Sequence, residues 1–302
     1  MKTVKDALAA FALLGTGLAA EAAAEDPAVR HVAVRGTRLA FTASGAGEPI
    51  VAVHGALSDR RVWRRYAPLL SQTKRFIAYS QRYFGTEGWP DAAKDFTREA
   101  HVADLIGLVE ALEAGPVHLV TWSYGGEVAT YAMLRRPELF RSAVHFEPSL
   151  GALLAEVEGG AQAQARFAAT LEPAVEALSA GRSEAAAFLF IDAVFGLPAG
   201  TMAREPEPAP TLVRDNARTL GPFLRMAPGA PLSCADLAAL DTPVLILRGE
   251  HTQARYRLAA EAMAACLPRA RLKTMVGAGH DGPYWAPEDF AAMIQAFHAG
   301  LH

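Results

Sequence analysis

The chain has 302 residues, 51% of them apolar, with 29 basic against 32 acidic side chains and a formal net charge of −3. That is enough apolar material for a large core, in one big domain or two small ones. The near balance of charge leaves no electrostatic footprint for nucleic acid. No block of like charge occurs, and Arg60, Arg61, Arg64 and Arg65 read as the solvated face of one helix.

At the N-terminus, Lys2 and Lys5 precede an apolar run from Ala7 to Ala20, and Ala22-Ala23-Ala24 follows. Basic start, short apolar core and small-residue site are the order of a secretory signal, although Asp6 interrupts the basic part. Residues 1–24 are therefore expected to be a signal peptide and the product periplasmic or secreted. A retained N-terminus would instead be an Ala-rich helix of a cytoplasmic protein. The run is too short and too rich in Ala and Gly for a stable membrane span, and nothing later reaches span length. Cys234 and Cys266 cannot form a zinc site alone. In an exported protein they could pair, which their spacing does not establish.

From about Arg30 short apolar strands begin. His31–Val34 and Leu39–Thr42 flank Gly36 as a hairpin, and Ile50–Val53, Arg75–Tyr79 and Val117–Thr121 follow. Helical stretches lie between them at 59–70 and 96–114, the second with Val102, Leu105, Ile106, Val109 and Leu112 at helical spacing. A helix at 125–136 and a strand at 142–146 come next. From about Pro148 to Leu240 the chain is Ala-rich and helical in pattern, broken by Gly159-Gly160, Gly181, Pro198 and the prolines at 206–210. Strand, helix, strand and helix then resume at 243–247, 256–266, 271–276 and 287–298. This alternation predicts an α/β fold, a mostly parallel central sheet flanked by helices. Residues 25–147 and 241–302 form its core, and 148–240 an inserted helical cap.

The chemistry centres on Thr121-Trp122-Ser123-Tyr124-Gly125-Gly126, between a buried strand and a helix. A serine on such a turn projects its hydroxyl above the sheet, and small residues beside it let strand and helix approach. The usual pattern is G-x-S-x-G, and Thr121 stands in place of the first glycine. A helix N-cap serine fits the same position locally. His280, in Gly277-Ala278-Gly279-His280, sits in a loop between the last strand and the final helix, free to reach across the sheet top as a general base.

His54-Gly55-Ala56, the Ser123 turn and the His280 loop, in that order, resemble the α/β-hydrolase superfamily over the chain from about Arg30. The resemblance implies the chain order nucleophile, acid, histidine. It makes Ser123 the nucleophile and His280 the base, with the backbone N–H groups of Ala56 and Tyr124 forming the oxyanion hole. His54 is expected to brace the oxyanion loop. The acid of most family members is an Asp a few residues past the strand 243–247, but that slot falls near Thr252 and holds none. Two carboxylates remain, Glu147 at the end of the strand 142–146 and Glu250. Glu147 is preferred, because haloalkane dehalogenases and zearalenone lactonases are similar in placing the acid there. Trp122 and Tyr83 are candidate pocket walls, or equally core aromatics.

Epoxide hydrolases and haloalkane dehalogenases carry a carboxylate in the elbow, so Ser123 argues against both. A serine with an oxyanion hole fits acyl transfer from an ester or lactone of small or medium size to water. Metal and cofactor are not required, since neither H-E-x-x-H nor G-x-G-x-x-G occurs. Carbon–carbon bond hydrolysis or cofactor-free perhydrolysis on the same triad, and a non-catalytic ligand-binding member, are the alternatives. Oligomeric state is not legible. If residues 1–24 are a signal, N-terminal sequencing of natively expressed protein will begin near Glu25, and a chain still starting at Met1 refutes the expectation.

Overall fold

The computed structural model describes residues 27–227 and 231–301, so the expected signal segment lies outside the described residues. β1 (Arg30–Val34) and β2 (Thr37–Ser44) form a hairpin about Arg35 and Gly36, both with positive φ as a tight two-residue turn requires. β3 (Pro49–Val53) leads through a 3-10 stretch (Arg60–Tyr66) and α1 (Ala67–Leu70) to β4 (Arg75–Tyr79). α2 (Arg98–Ala111), β5 (Val117–Trp122), α3 (Tyr124–Arg135) and β6 (Phe140–Phe146) follow. β1, β2 and β4 pair antiparallel and every other pairing is parallel, in the order β1-β2-β4-β3-β5-β6-β7-β8.

Between β6 and β7 (Val244–Gly249) the chain is helical: α4 (Gly160–Thr170), α5 (Glu172–Ser179), α6 (Ser183–Phe195), α7 (Ala209–Asn216), α8 (Leu220–Arg225) and α9 (Cys234–Ala238). α10 (Ala254–Cys266), β8 (Ala270–Met275), α11 (Gly282–Trp285) and α12 (Pro287–Ala299) complete the fold. Among the described residues no helix is long and apolar enough to cross a membrane.

The central strands read as unbroken apolar runs because both faces of the sheet are covered. Alternate residues divide between two cores. Val51, Val53, Ile77, Leu119 and Ile246 lie in one, and Ile50, Ala52, Phe76, Val120 and Leu245 in the other. Polar side chains inside the sheet find partners on neighbouring strands, as where His118 Nδ1 lies 2.8 Å from Ser142 Oγ. A third core (Leu57, Phe167, Phe188, Phe190, Ile191, Val213, Tyr256 and others) is built mainly by the helices between β6 and β7.

The arginine cluster departs from expectation. The stretch is mostly 3-10, and its first arginines are not solvated. Asp59, fully buried, caps it by accepting from Arg61 N at 2.9 Å and takes the Arg61 guanidinium at 2.9 and 2.7 Å. Arg60 is also buried, beside Glu87, and only Arg64 and Arg65 face outward.

Cys234 in α9 and Cys266 at the end of α10 are joined by a disulfide across a separation of 32 residues. It ties the end of the helical stretch to the sheet-covering α10. Closing a loop of this length restricts the unfolded chain by about 3–4 kcal/mol in the entropic account. Denaturant unfolding with and without reductant is expected to differ by that amount, and coincident curves would show that the bridge contributes nothing.

Candidate active site

The strand order places a crevice where ligands collect in open α/β sheets. From β3 the chain passes to β4 on one side, whereas β5 lies on the other, so loops after β3 and β5 diverge above the strand ends. His54-Gly55-Ala56 follows β3 and Ser123 follows β5. Ser123 adopts φ 54° and ψ −119°, a conformation costly for a residue with a Cβ. Its backbone is held on both sides: Ser123 N donates to Phe146 O at 3.0 Å, and Ser123 O accepts from Gly126 N (2.9 Å) and Ser149 N (3.0 Å). α3 sits so close to β3 that a Cβ on Gly125 would come within 2.3 Å of Val53 O. Thr121 is accommodated in place of the usual glycine because its hydroxyl lies 2.6 Å from His145 Nδ1, inside the sheet. Burial drives the His145 pKa down to about 3, so this ring is neutral.

Glu147 also has a positive φ, 44°, and is fully buried. Its Oε1 accepts from Gly249 N at 2.6 Å. Its Oε2 accepts from Thr252 Oγ1 at 2.7 Å and lies 2.6 Å from His280 Nδ1. With both carboxylate oxygens acting as acceptors, His280 Nδ1 is the nitrogen that carries a proton towards Glu147, which leaves Nε2 as the one that can accept one. Nε2 is buried and has no hydrogen-bond partner among the described residues. The Tyr256 ring stacks on the imidazole at 3.7 Å between centroids and 12° between planes. Glu250 lies elsewhere: it is largely exposed and accepts from Gly277 N at 2.9 Å.

The loop after β3 is braced by His54, whose Nδ1 lies 2.8 Å from Gly55 O while its Nε2 accepts from Gln81 N at 3.0 Å. Burial lowers its pKa to about 4, which keeps the ring neutral in that role. Ala56 and Tyr124 both border the cavity beside Ser123. As the first residue of α3, Tyr124 has a backbone N–H with no intrahelical acceptor.

Ser123 and His280 open onto one cavity of about 420 Å³, enclosed between the sheet top and the helices that follow β6. Trp122 lines it, donates its indole N–H to His280 O at 2.9 Å, and stacks on Phe195 at 5.7 Å. Tyr83, the other candidate wall, is not among its lining residues. It is packed between Trp89 and Phe96, and its hydroxyl donates to Asp91 at 3.1 Å, so it is a core aromatic. Tyr256 and the buried pair Arg98–Glu127 at the cavity edge were not singled out from sequence, and Thr252 was marked only as a slot without an Asp. Nothing local marks them, because each acts through partners far along the chain.

Residues 50–293 match the profile of the alpha/beta hydrolase family. The chain belongs to that family. It is 32% identical over 118 residues to 2-hydroxymuconate semialdehyde hydrolase of Pseudomonas sp. (strain CF600), covering 38% of this chain and 41% of the relative. Matches of this kind thus span about two fifths of the curated relatives' length. A longer match joins it to 2-(acetamidomethylene)succinate hydrolase of Mesorhizobium japonicum, 27% identical across 87% of this chain and 92% of that one. Among solved structures, carboxylesterase CesB of Bacillus subtilis superposes with a TM-score of 0.69 at 22% identity, covering 90% of this chain and 92% of that one. The fold is that of an alpha/beta hydrolase.

Proposed function

We propose that this protein is a serine hydrolase that cleaves a carboxylic ester or lactone through an acyl-enzyme. The observation that carries the reading is the His280 ring, held by Glu147 at Nδ1, with Nε2 unpartnered among the described residues and with Ser123 lining the same cavity. In this mechanism Ser123 Oγ attacks the substrate carbonyl and His280 Nε2 takes its proton. Negative charge collects on the carbonyl oxygen, where the N–H groups of Ala56 and Tyr124 receive it. The C–O bond breaks, His280 returns the proton to the leaving alcohol, and the acyl group remains on Ser123. Water, deprotonated by the same nitrogen, releases the acid. Glu147 keeps the ring in the required tautomer and balances the imidazolium.

The helical stretch 148–240 is read as a lid that shapes the acyl pocket. Asn216 supports this, because it joins the lid to two core loops: its Nδ2 donates to Asp59 at 2.8 Å and its Oδ1 accepts from Gly85 N at 2.7 Å. The Cys234–Cys266 disulfide supports export to an oxidising compartment. Carbon–carbon bond hydrolysis on the same residues is the second reading, favoured by the likeness to 2-hydroxymuconate semialdehyde hydrolase.

Two measurements test the serine mechanism. Ser123→Ala is expected to abolish both ester turnover and labelling by a fluorophosphonate probe in a folded protein, a loss of about 10⁴-fold or more. Labelling that persists in the variant would place the nucleophile elsewhere, and a wild type that neither labels nor turns over would mark a binding protein.

For the acid, Glu147→Gln is expected to lower kcat by roughly 10²- to 10⁴-fold, while Glu250→Gln changes it less than about tenfold. The reverse pattern, measured side by side, would move the acid to the end of β7.

A further inference from the structure

Most of the cavity wall is apolar, formed by side chains such as Val194, Phe195, Leu212 and Phe223. One part of it is not. Arg98, the first residue of α2, and Glu127, one turn into α3, both line the cavity, as does Arg255 at the start of α10. Arg98 is buried with its Nε 3.0 Å from Glu127 Oε1, and its Nη1 is buried with no hydrogen-bond partner among the described residues. Arg255 lies over the rings of Phe167 (4.3 Å) and Tyr256 (5.0 Å), and its hydrogen-bond partners are neutral, Gln164 Oε1 at 3.1 Å and Ser149 Oγ at 3.3 Å.

Among the described residues lining the cavity, two guanidinium groups stand against one carboxylate. Burial pushes the Glu127 pKa up to about 7, although Arg98 and Arg255 both pull it down. The local balance is therefore positive, in a compartment where low polarity strengthens every charge–charge interaction. An unsatisfied buried N–H on a guanidinium is costly, and a planar carboxylate is the acceptor that best matches its fork. Glu127 already presents one carboxylate to Arg98 from within the protein.

We propose that the substrate carries a carboxylate remote from its scissile carbonyl, and that this carboxylate is bound by Arg98 and Arg255 while the carbonyl sits at Ser123. The inference rests on the hydrolase reading of the site and adds the class of acyl group: the half-ester of a dicarboxylic acid, or a lactone bearing an acid side chain. Apolar walls take the carbon chain between the two ends. Glu127 acts as an internal competitor for Arg98, so that its charge tempers affinity for the anion.

The test uses monomethyl esters of α,ω-dicarboxylic acids with four, six and eight carbons, each beside the primary amide of the same length. Calorimetric binding to the Ser123→Ala protein is independent of turnover. At the best-fitting length the acid is expected to bind at least tenfold more tightly than the amide at pH 8. Glu127→Gln is expected to widen that ratio by several fold, and Arg255→Met to bring it towards unity. Arg98→Met combined with Glu127→Gln removes both members of the buried pair, and a melting curve verifies its fold. It should lower the ratio as well. In the wild type the same preference should appear in kcat/KM. Acid and amide binding equally at every length, or a ratio unmoved by Glu127→Gln and Arg255→Met, would overturn the proposal. If wild-type turnover is robust on the amide members, that result leaves the serine mechanism intact. Absent turnover and absent labelling, with the binding preference present, would instead refute the mechanism and keep the anion site.

Discussion

Glu147 has no exposed surface, so each of its oxygens must find its donors inside the protein. The three it finds come from separate places: a backbone N–H at the end of β7, the Thr252 hydroxyl in the loop beyond it, and the imidazole of the loop after β8. Removing one would leave a buried carboxylate under-solvated, which is far more costly than losing an exposed ion pair. The same three contacts fix the tops of β6, β7 and β8 relative to one another. They also decide which nitrogen of His280 holds a proton. Stability of the sheet top and chemistry of the site thus depend on one group. The stacked Tyr256 ring adds to this by closing one face of the imidazole, leaving rotation out of line with no room.

Much of the scaffold was legible because its signals are local. Parallel strands buried on both faces must be apolar throughout, and Ile50–Val53 or Leu245–Leu247 can be read as such without knowing their neighbours. The turn holding Ser123 announces itself through Gly125 and Gly126, whose missing side chains admit Val53 and Pro148. What escaped reading depends on distant partners. Asp59 and Arg61 look like solvent-facing charges until Asn216, 157 residues later, and Asp215 come to meet them. Tyr83 follows β4 closely enough to suggest a pocket wall, but Phe96 and Trp89 enclose it first. No pattern in the sequence indicates that Tyr256 will lie flat on His280.

The helices between β6 and β7 are held to the sheet by polar contacts more specific than their apolar packing. Asn216 is fully buried and uses both ends of its amide, one on Asp59 and one on the backbone of Gly85. Arg61 adds an ion pair to Asp215 at 2.7 Å, and Arg218 donates to Gly85 O at 2.8 Å. These contacts reach the loops after β3 and β4, the first of which carries Ala56. The position of the helical layer and that of the loop beneath it are therefore coupled. Burial alone would raise the pKa of Asp59, yet the hydrogen bonds and charge of Arg61 hold it below the ordinary value, so the network stays charged across the neutral range. Such a junction suits a layer that must enclose a cavity without filling it. Apolar packing alone would favour collapse onto Ser123, whereas directional bonds set a distance.

The place of Glu147 beside His280 follows from the register of the sheet. β6 and β7 are parallel neighbours with Phe146 opposite Leu247, so Glu147 emerges level with the last residues of β7, about 5 Å away as adjacent strands are. A carboxylate rooted on either strand can be directed at the same imidazole. From β7 the slot near position 252 is the nearer one. From β6 the side chain must cross the end of β7, which a glutamate does with one more methylene than an aspartate. The positive φ of Glu147 turns the side chain in that direction, and Pro148 behind it ends the strand. Position 252 is then filled by a residue that bonds to Glu147. Thr252 is too short to reach into the site as an acid's substitute, but its hydroxyl donates to Oε2, the oxygen that faces His280. The hydrogen bond from Gly249 N steadies the other oxygen across the gap between strands. Glu147 and Thr252 are therefore one arrangement divided over two strand ends, and exchanging either residue alone undoes both halves.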